Sequence, residues 1–309
     1  MNNLGKKIVV IGATGLIGRS LIPFLVNSGY RVIALSRSIQ KARAIFNDEI
    51  DVEYWNGLDS LALIPILNDA YAVINLAGES IAVRWTKKIK ERLYNSRIDT
   101  TISIVDAINS CTNPPKVLIQ ASAIGYYSYN SDIQCYETSA KGGGFLSNLV
   151  SEWENAAKKV NSNCRLVLIR TGIVLSSNGG FLEKLINPTR FYLGGWFGDG
   201  LQKISWIHID DYVNAVKFLI EEEKCTGPFN MVSPKPVTLK HFAKGVGNTL
   251  KRPVWLPIPK FVLRLFLGKM ADEVIFSNQN VIPQKLLSMG YVYNHHELKE
   301  ALDDLLKQK

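Results

Sequence analysis

Ile8-Val9-Val10-Ile11-Gly12-Ala13-Thr14-Gly15-Leu16-Ile17-Gly18 is the stretch that decides the fold of this chain. Its first four residues are β-branched and apolar, which predicts a strand buried on both faces. Glycines follow at every third position, and apolar residues then recur at helical intervals from Leu16 to Val26. Strand, glycine-rich turn and helix in this order indicate a nucleotide-binding unit, whereas glycines alone would also fit a tight turn without a ligand.

Each glycine of the turn has its own predicted role. Gly12 permits the tight turn, Gly15 lets a pyrophosphate approach the backbone, and Gly18 lets the helix pack closely on the strand. The helix N-terminus offers unpaired N–H groups and a partial positive charge to the phosphates. The predicted cofactor contacts in this stretch are Gly12, Thr14, Gly15, Leu16, Ile17 and Gly18.

The composition is that of an ordinary globular protein. The chain has 309 residues, of which 47% are hydrophobic and 20% charged, so it is long enough for a large α/β core with a smaller lobe. Its net charge of +9 is dispersed, which suits small anionic ligands and provides no basic run for nucleic acid. No stretch approaches the roughly 18 uninterrupted apolar residues of a membrane span.

The cysteines and the N-terminal residues indicate the cellular compartment in which the protein is expected. Cys111, Cys135, Cys164 and Cys225 lie far apart and show no metal-ligand spacing, so we expect free thiols and no metal. The chain runs straight into its first strand, which leaves no room for a signal peptide. We therefore expect a cytoplasmic protein. We also expect a small-molecule substrate, no nucleic-acid or membrane partner, and a monomer or homodimer.

The end of the second predicted strand indicates which cofactor binds. Arg31 to Leu35 is that strand, and Ser36-Arg37-Ser38 follows it without a carboxylate. In NAD sites an acidic residue here binds the adenine ribose, whereas a basic residue accommodates the 2′-phosphate of NADP. We predict NADP rather than NAD, held by Arg37 with help from Ser36. The alternative is an arginine that is simply solvated at the end of a strand.

Strands and helices alternate through the first half of the chain, which indicates a doubly wound parallel sheet. Further strands are predicted over Ala72 to Leu76, Val117 to Ser122 and Arg165 to Arg170. A cofactor passes close to the backbone where such strands end. The predicted cofactor contacts at these ends are Leu76, Ala77, Gly78, Ala121, Arg170, Thr171 and Gly172.

Several motifs, in this order, resemble one protein family. The glycine turn and the later motifs are similar to those of the extended, atypical short-chain dehydrogenase/reductases, in the NAD-dependent epimerase/dehydratase-like subgroup described as epimerase family proteins. The later motifs are Asn75 to Glu79, Ser122 to Tyr127, Trp153-Glu154, Arg170 to Leu175 and Trp206 to Asp211. The run from Arg252 to Gly290 resembles that subgroup's appended domain of unknown function.

The resemblance implies a Rossmann core that binds NAD(P) and a substrate site between this core and a smaller C-terminal α+β lobe. We expect the core over residues 1–175, with residues 204–232 returning to it. Residues 176–309 then form most of the substrate lobe, and the family-specific segment covers 250–300. Polar and aromatic residues in the loops of both parts are the candidate substrate contacts: Glu79, Arg84, Trp85, Trp196, Gln202 and Trp206.

One departure from the family concerns the chemistry. Typical members carry a Tyr-x-x-x-Lys pair on one face of the helix after the fifth strand, where the tyrosine acts as acid/base and the lysine lowers its pKa. Here Phe145 and Leu149 have that spacing, and shifts of one or two residues do not recover the pair. A tyrosine near its ordinary pKa of about 10 would be a poor base at neutral pH.

Two hypotheses follow. The chain is an NADP-dependent enzyme that transfers hydride to or from a carbonyl or sugar carbon, or it is a non-catalytic NADP-binding protein with a regulatory or partner-binding role. For the enzyme, the candidate catalytic groups are Ser122, Tyr126, Tyr127 and His208. Each has a structural alternative: the tyrosines can pack under a loop, His208 can cap the following helix, and Ala123 competes with Ser122 for the position of the family's serine.

Overall fold

Seven parallel strands form the central sheet of the computed structural model, which describes residues 4–47 and 50–307. From one edge to the other they are Gly227–Met231 (β13), Arg165–Thr171 (β7), Val117–Ala123 (β5), Ala72–Asn75 (β4), Lys7–Ile11 (β1), Arg31–Ser36 (β2) and Asp51–Tyr54 (β3). Every neighbouring pair is parallel. The doubly wound parallel sheet that the sequence predicts is confirmed.

Helices cover both faces of the sheet. Successive residues of each strand point to opposite faces, so each strand contributes apolar side chains to both helical layers. Ile8 and Val10 pack in an apolar cluster with residues of Leu16–Asn27 (α1), Ile39–Phe46 (α2) and Ile209–Glu221 (α7). Val9 and Ile11 pack on the other side with residues of Ser60–Leu67 (α3) and Lys87–Ser110 (α4). The uninterrupted apolar run of β1 is therefore what a strand between two helical layers requires.

The later part of the chain builds small sheets and helices beside this core. Its helices are Gly144–Ala157 (α5), Phe181–Arg190 (α6), Leu239–Leu250 (α8), Lys260–Leu267 (α9), Gln284–Ser288 (α10) and Leu298–Lys307 (α11). Its short strands are Asn130–Cys135 (β6), Ile173–Ser176 (β8), Gly179–Gly180 (β9), Gly194–Phe197 (β10), Lys203–Ile204 (β11), Trp206–His208 (β12), Val237–Thr238 (β14), Val254–Ile258 (β15) and Asn278–Val281 (β16). The segment 204–232 contributes β13 to the edge of the central sheet.

The strand order reverses between β1 and β4, since the chain winds outward from β1 through β2 and β3 and then continues from β4 on the other side. In open α/β sheets a crevice forms at such a point, outside the carboxyl ends of the strands, and ligands bind there. Within the described residues, no helix combines the length and the apolar character that crossing a membrane needs.

Candidate active site

The start of α1 lies at the carboxyl end of β1, at the point where the strand order reverses. Gly15 is its N-cap and brings no side-chain acceptor, and the first turn has no acidic residue. The N–H groups of this turn are thus not neutralised by a side chain, and their partial positive charge is available to an anion.

The glycines make room at this point for a ligand close to the backbone. Gly12 has a φ of +80°, and a Cβ on it would lie 2.7 Å from the carbonyl carbon of Leu76. A Cβ on Gly18 would lie 2.3 Å from the Ala13 oxygen, so this glycine lets α1 pack on the strand. A Cβ on Gly15 would meet only the Gly12 oxygen, at 3.3 Å. Because Gly15 has no side chain, a dinucleotide diphosphate could approach the backbone N–H groups of this turn closely.

Arg37 follows β2 at the same edge of the sheet. Its side chain is exposed and makes no hydrogen bond or ion pair with residues 4–47 or 50–307. Ser36 differs, because its hydroxyl donates to the Ser38 carbonyl at 3.0 Å and accepts from the Ser38 N–H at 3.1 Å. The structure thus leaves Arg37 available to a phosphate and gives the Ser36 hydroxyl a role in the turn before α2.

The loop after β4 lies over an arginine that the sequence analysis missed. Leu76 and Ala77 follow Asn75, whose Oδ1 accepts from the Ala77 N–H at 3.0 Å. Arg97 of α4 donates to the Glu79 carbonyl at 2.8 Å, and its guanidinium is 3.2 Å from where a Cβ on Gly78 would lie. Burial lowers the pKa of Arg97 to about 10. A side chain at position 78 would thus crowd the half-buried Arg97 guanidinium.

A buried network ties together the ends of β5 and β7. Arg170 pairs with Glu154 through two hydrogen bonds of 2.8 and 2.9 Å, and the Ser122 hydroxyl donates to Glu154 at 2.7 Å. Arg170 also donates to the Tyr127 hydroxyl at 2.9 Å, and this hydroxyl donates to Asn230 at 2.7 Å. All five residues are at most 3% exposed. The network holds β5, α5, β7 and β13 in register.

This network engages three of the predicted site residues. The Arg170 guanidinium is committed to protein partners and is not available to a cofactor phosphate. The Ser122 hydroxyl donates a hydrogen bond to Glu154, and Tyr127 is buried with its hydroxyl hydrogen-bonded to both Arg170 and Asn230. Burial raises the pKa of Tyr127 to about 12. The hydroxyls of Ser122 and Tyr127 are thus engaged in the core, and their catalytic roles stay predictions. Glu154 belongs to a motif that the sequence shares with the family, but it was not predicted as a site residue, although a carboxylate on the apolar face of α5 was a detectable signal.

Tyr126 is the predicted hydroxyl that stays available among the described residues. It ends the 3₁₀ turn Ile124–Tyr126 directly after β5, and its side chain is half-buried. The Arg170 guanidinium lies 3.6 Å from the centre of its ring, and its backbone carbonyl accepts from the Ser147 hydroxyl at 2.8 Å. No partner among residues 4–47 and 50–307 binds its hydroxyl. The ring is held firmly while the O–H remains free to bind a ligand.

Three other predicted cofactor residues, at the carboxyl ends of β5 and β7, pack against neighbouring residues of the protein. Ala121 lies against Trp153 in a small apolar cluster between α4 and α5. The Thr171 hydroxyl is 3.0 Å from that of Tyr212, and a Cβ on Gly172 would lie 2.6 Å from the Ser205 carbonyl oxygen. These three residues therefore pack within the protein, and their contact with a cofactor stays a prediction.

The predicted substrate residues fall into two groups. Trp85 lies edge-on to Phe145 at the start of α5, with ring centres 5.0 Å apart, and Glu79 pairs with Arg92 at 2.5 Å. These residues and the exposed Arg84 stand around the loop after β4. This first group lies close to the carboxyl edge of the sheet.

The second group belongs to the C-terminal half. Trp196 carries Lys240 over its ring at 4.8 Å, and Gln202 is buried with no hydrogen bond to its Oε1 atom among the described residues. Trp206 is 0% exposed and donates its indole N–H to the Lys235 carbonyl at 3.1 Å. The prediction that Trp206 contacts substrate is therefore wrong, because its ring lies wholly within the core.

His208 is a capping residue of α7. Its Nδ1 accepts from the Asp210 N–H at 3.1 Å, its ring stacks on His295 at 3.9 Å, and its Nε2 lies 3.3 Å from Asp304. It borders a cavity of about 290 Å³ that contains neither Ser122 nor Tyr126. A neutral imidazole that accepts at Nδ1 carries its proton on Nε2, on the side of the Asp304 carboxylate. The catalytic role of His208 stays a prediction.

The environment of His208 predicts a pH dependence of stability. Burial, together with the neighbouring His295, lowers its pKa from the usual 6.5, against the opposing effect of Asp210, Asp304 and Asp211. As the pH falls, His208 is therefore protonated in the unfolded chain before it is protonated in the folded protein. The stability that comes from burying a neutral His208 is complete above about pH 6.5 and is lost below it. We expect His208→Asn, which keeps a capping side chain, to flatten the fall in melting temperature between about pH 7.5 and 5.

The control is His241→Asn, because His241 is exposed. It should leave the pH dependence of the melting temperature as it is in the parent protein. Equal pH profiles for the parent and for His208→Asn would contradict a buried, neutral His208.

Comparison with known proteins agrees with this geometry. Residues 8–231 match the NAD dependent epimerase/dehydratase family, and residues 258–305 match a domain of unknown function, DUF1731. The chain is 35% identical over 307 residues to an epimerase family protein of Staphylococcus haemolyticus, covering 97% of this chain and 99% of that protein. An Arabidopsis thaliana relative, the chloroplastic SDR39U1 homolog, is 34% identical over 307 residues, covering 96% of this chain and 86% of that protein.

A solved structure shares the fold over the whole chain. The human epimerase family protein SDR39U1, solved with NADPH, has a TM-score of 0.89 and 30% identity, and covers 98% of this chain and 100% of its own. The resemblance inferred from the motifs is confirmed. The chain belongs to the NAD dependent epimerase/dehydratase family.

Proposed function

We propose that this protein binds NADP(H) and uses it to reduce the carbonyl group of a small substrate, one related to sugar nucleotides or aldehydes. The observation that carries the proposal is Arg37, an exposed guanidinium that no described residue binds, at the position that selects between NADP and NAD. The uncapped start of α1 and the lack of a side chain on Gly15 support binding of the diphosphate. The human relative solved with NADPH adds support from a homologue.

When bound, the cofactor supplies a hydride, and the chain must then supply a proton. Reduction of a carbonyl builds negative charge on its oxygen, and an O–H donor nearby stabilises that charge and delivers the proton. Tyr126 fits this role, because its ring is held by Arg170 while its hydroxyl is unbound by described residues. No lysine of the family's type assists it from α5, so we expect it to work as an acid, with turnover declining only at alkaline pH.

A non-catalytic NADP-binding protein is the second candidate function. The buried network around Arg170 favours this candidate, because it engages hydroxyl groups that an enzyme could use for catalysis. Ser122 and Tyr127 have hydroxyls that serve structure, and α5 lacks the family's Tyr/Lys pair. The two candidates differ in one measurement. A panel of nucleotide sugars and aldehydes is incubated with the protein and NADPH, and the near-ultraviolet absorbance of NADPH is followed. Consumption supports the enzyme, whereas binding without consumption of NADPH supports the regulatory role.

Replacing Arg37 by Ala tests the cofactor. Hydrogen bonds to charged groups contribute about 1.5–3 kcal/mol, so we expect the Kd for NADPH to rise about tenfold to a hundredfold while the Kd for NADH stays the same. Calorimetric titration of both cofactors measures this. Arg43→Ala is the matched control, because Arg43 is an exposed arginine of the neighbouring helix α2. An unchanged preference between the cofactors in Arg37→Ala would overturn the assignment.

We also propose that the substrate lies between the core, residues 1–175 with 204–232, and the lobe formed mostly by 176–309. The position of Trp85 and Phe145 at the carboxyl edge of the sheet supports this. A reducing cytoplasmic location is supported by the four cysteines, all of which are free thiols. A monomer or homodimer with no nucleic-acid or membrane partner completes the proposal, and sedimentation analysis tests the oligomeric state.

A further inference from the structure

A carboxylate from the C-terminal segment reaches the start of α5. Gly143, the N-cap of this helix, has no side chain to accept from the first turn. Glu273, which lies in the helical turn Ala271–Ile275, does so instead: its Oε1 accepts from the Phe145 N–H at 3.2 Å and its Oε2 from the Leu146 N–H at 2.9 Å. Its side chain is 8% exposed. A residue more than a hundred positions away therefore caps the helix.

The same carboxylate fills the place of a missing side chain. Gly144 has a φ of +93°, and a Cβ on it would lie 2.9–3.1 Å from three atoms of the Glu273 carboxyl group. Gly144 and Asn148 are both exposed and stand four residues apart, which is the spacing of the family's Tyr/Lys pair. At these two exposed positions of α5 the chain has Gly144 and Asn148, and the Glu273 carboxyl group occupies the volume beside Gly144.

The segment around Glu273 also contacts two other parts of the candidate site. Gln279 donates to the carbonyl of Ile124, in the turn that carries Tyr126, at 2.8 Å. Gln202, a predicted substrate residue, donates to the carbonyl of Ile275 at 3.4 Å. Residues 271–279 therefore join the turn after β5, the start of α5 and the loop before β11. These are the parts that surround the carboxyl end of β5.

We propose that Glu273 is a positioning residue of the nicotinamide half of the site, an inference that rests on the proposed binding of NADP(H). By capping α5 over Gly144, it holds the first turn of the helix against the turn that carries Tyr126, whose carbonyl accepts from Ser147 of α5. The C-terminal segment, which a domain of unknown function matches over residues 258–305, thereby becomes part of the site. Without Glu273, the first turn of α5 loses its acceptor and water reaches the nicotinamide.

The test compares Glu273→Ala and Glu273→Gln with Asp272→Asn, a matched control that removes a neighbouring charge from an exposed ion pair. NADPH affinity is measured by fluorescence titration, and we expect it to stay within about twofold, since α1 and Arg37 are unchanged. Acrylamide quenching of bound NADPH then reports exposure of the nicotinamide. The quenching constant should rise at least about twofold in Glu273→Ala and less in Glu273→Gln, which keeps one acceptor oxygen.

Amide hydrogen exchange provides a second readout. Exchange at Phe145 and Leu146 should become about tenfold faster in Glu273→Ala and stay at the parent's rate in Asp272→Asn, because only the first loses the acceptor for these N–H groups. If Glu273→Ala does not fold, Glu273→Gln carries the same test with the shape retained. Unchanged quenching in a variant that still binds NADPH overturns this inference alone. A parent protein that binds no NADPH overturns the proposed function, and this inference with it.

Discussion

Glu154→Gln is expected to destabilise the protein by about 3–5 kcal/mol, because it removes the charge that compensates Arg170 in the core. The side chains of this pair are 4% and 1% exposed, so water cannot take over the lost interaction. The amide that replaces the carboxylate also offers a single acceptor oxygen to the three donor groups that now bind Glu154. Urea denaturation with linear extrapolation measures the free energy of unfolding.

The matched control is Asp51→Asn. Asp51 pairs with Arg31 at 2.9 Å, yet both side chains are more than half exposed. Exposed pairs of this kind contribute about 0–1 kcal/mol, so the control should unfold almost as the parent does. Equal effects of the two substitutions would mean that the Glu154–Arg170 pair does not hold the core as described.

Tyr126→Phe is expected to reduce NADPH-dependent turnover by about 10²- to 10⁴-fold, the usual contribution of a positioned acid, while the free energy of unfolding stays near that of the parent. The expectation follows from the position of the hydroxyl, which no described residue binds, so its loss leaves no buried group without a partner. Steady-state kinetics on the substrate that the panel uncovers, together with urea denaturation, separate the two effects.

Tyr127→Phe is the comparison for that result, because the two tyrosines are adjacent and their rings lie 5.5 Å apart. Its hydroxyl binds Arg170 and Asn230 in the core, so we expect a loss of about 1–3 kcal/mol in stability and little direct effect on turnover. If both variants turn over within a few-fold of the parent, neither hydroxyl is the acid, and a bound water is the remaining proton donor.

The sequence by itself was sufficient for the features that depend on neighbours in the chain. The run Ile8–Ile11 with its glycine turn specifies a buried strand, a tight turn and a helix start, because backbone geometry and apolar periodicity act over a few residues. Alternating strands and helices then restrict the topology to a parallel sheet. Arg37 could be placed at the end of β2 for the same reason, since its position follows from where the strand ends.

Only the tertiary structure decided which polar side chains face the crevice. Ser122 and Tyr127 stand in the motif that predicts catalysis, yet partners far along the chain, Glu154 and Asn230, take their hydroxyls into the core. Glu273 meets α5 across 127 to 128 residues of sequence, which no local pattern encodes. The physical reason is that a buried polar group must find its hydrogen-bond partner in space, and three-dimensional packing, rather than spacing along the chain, determines which partner lies within reach.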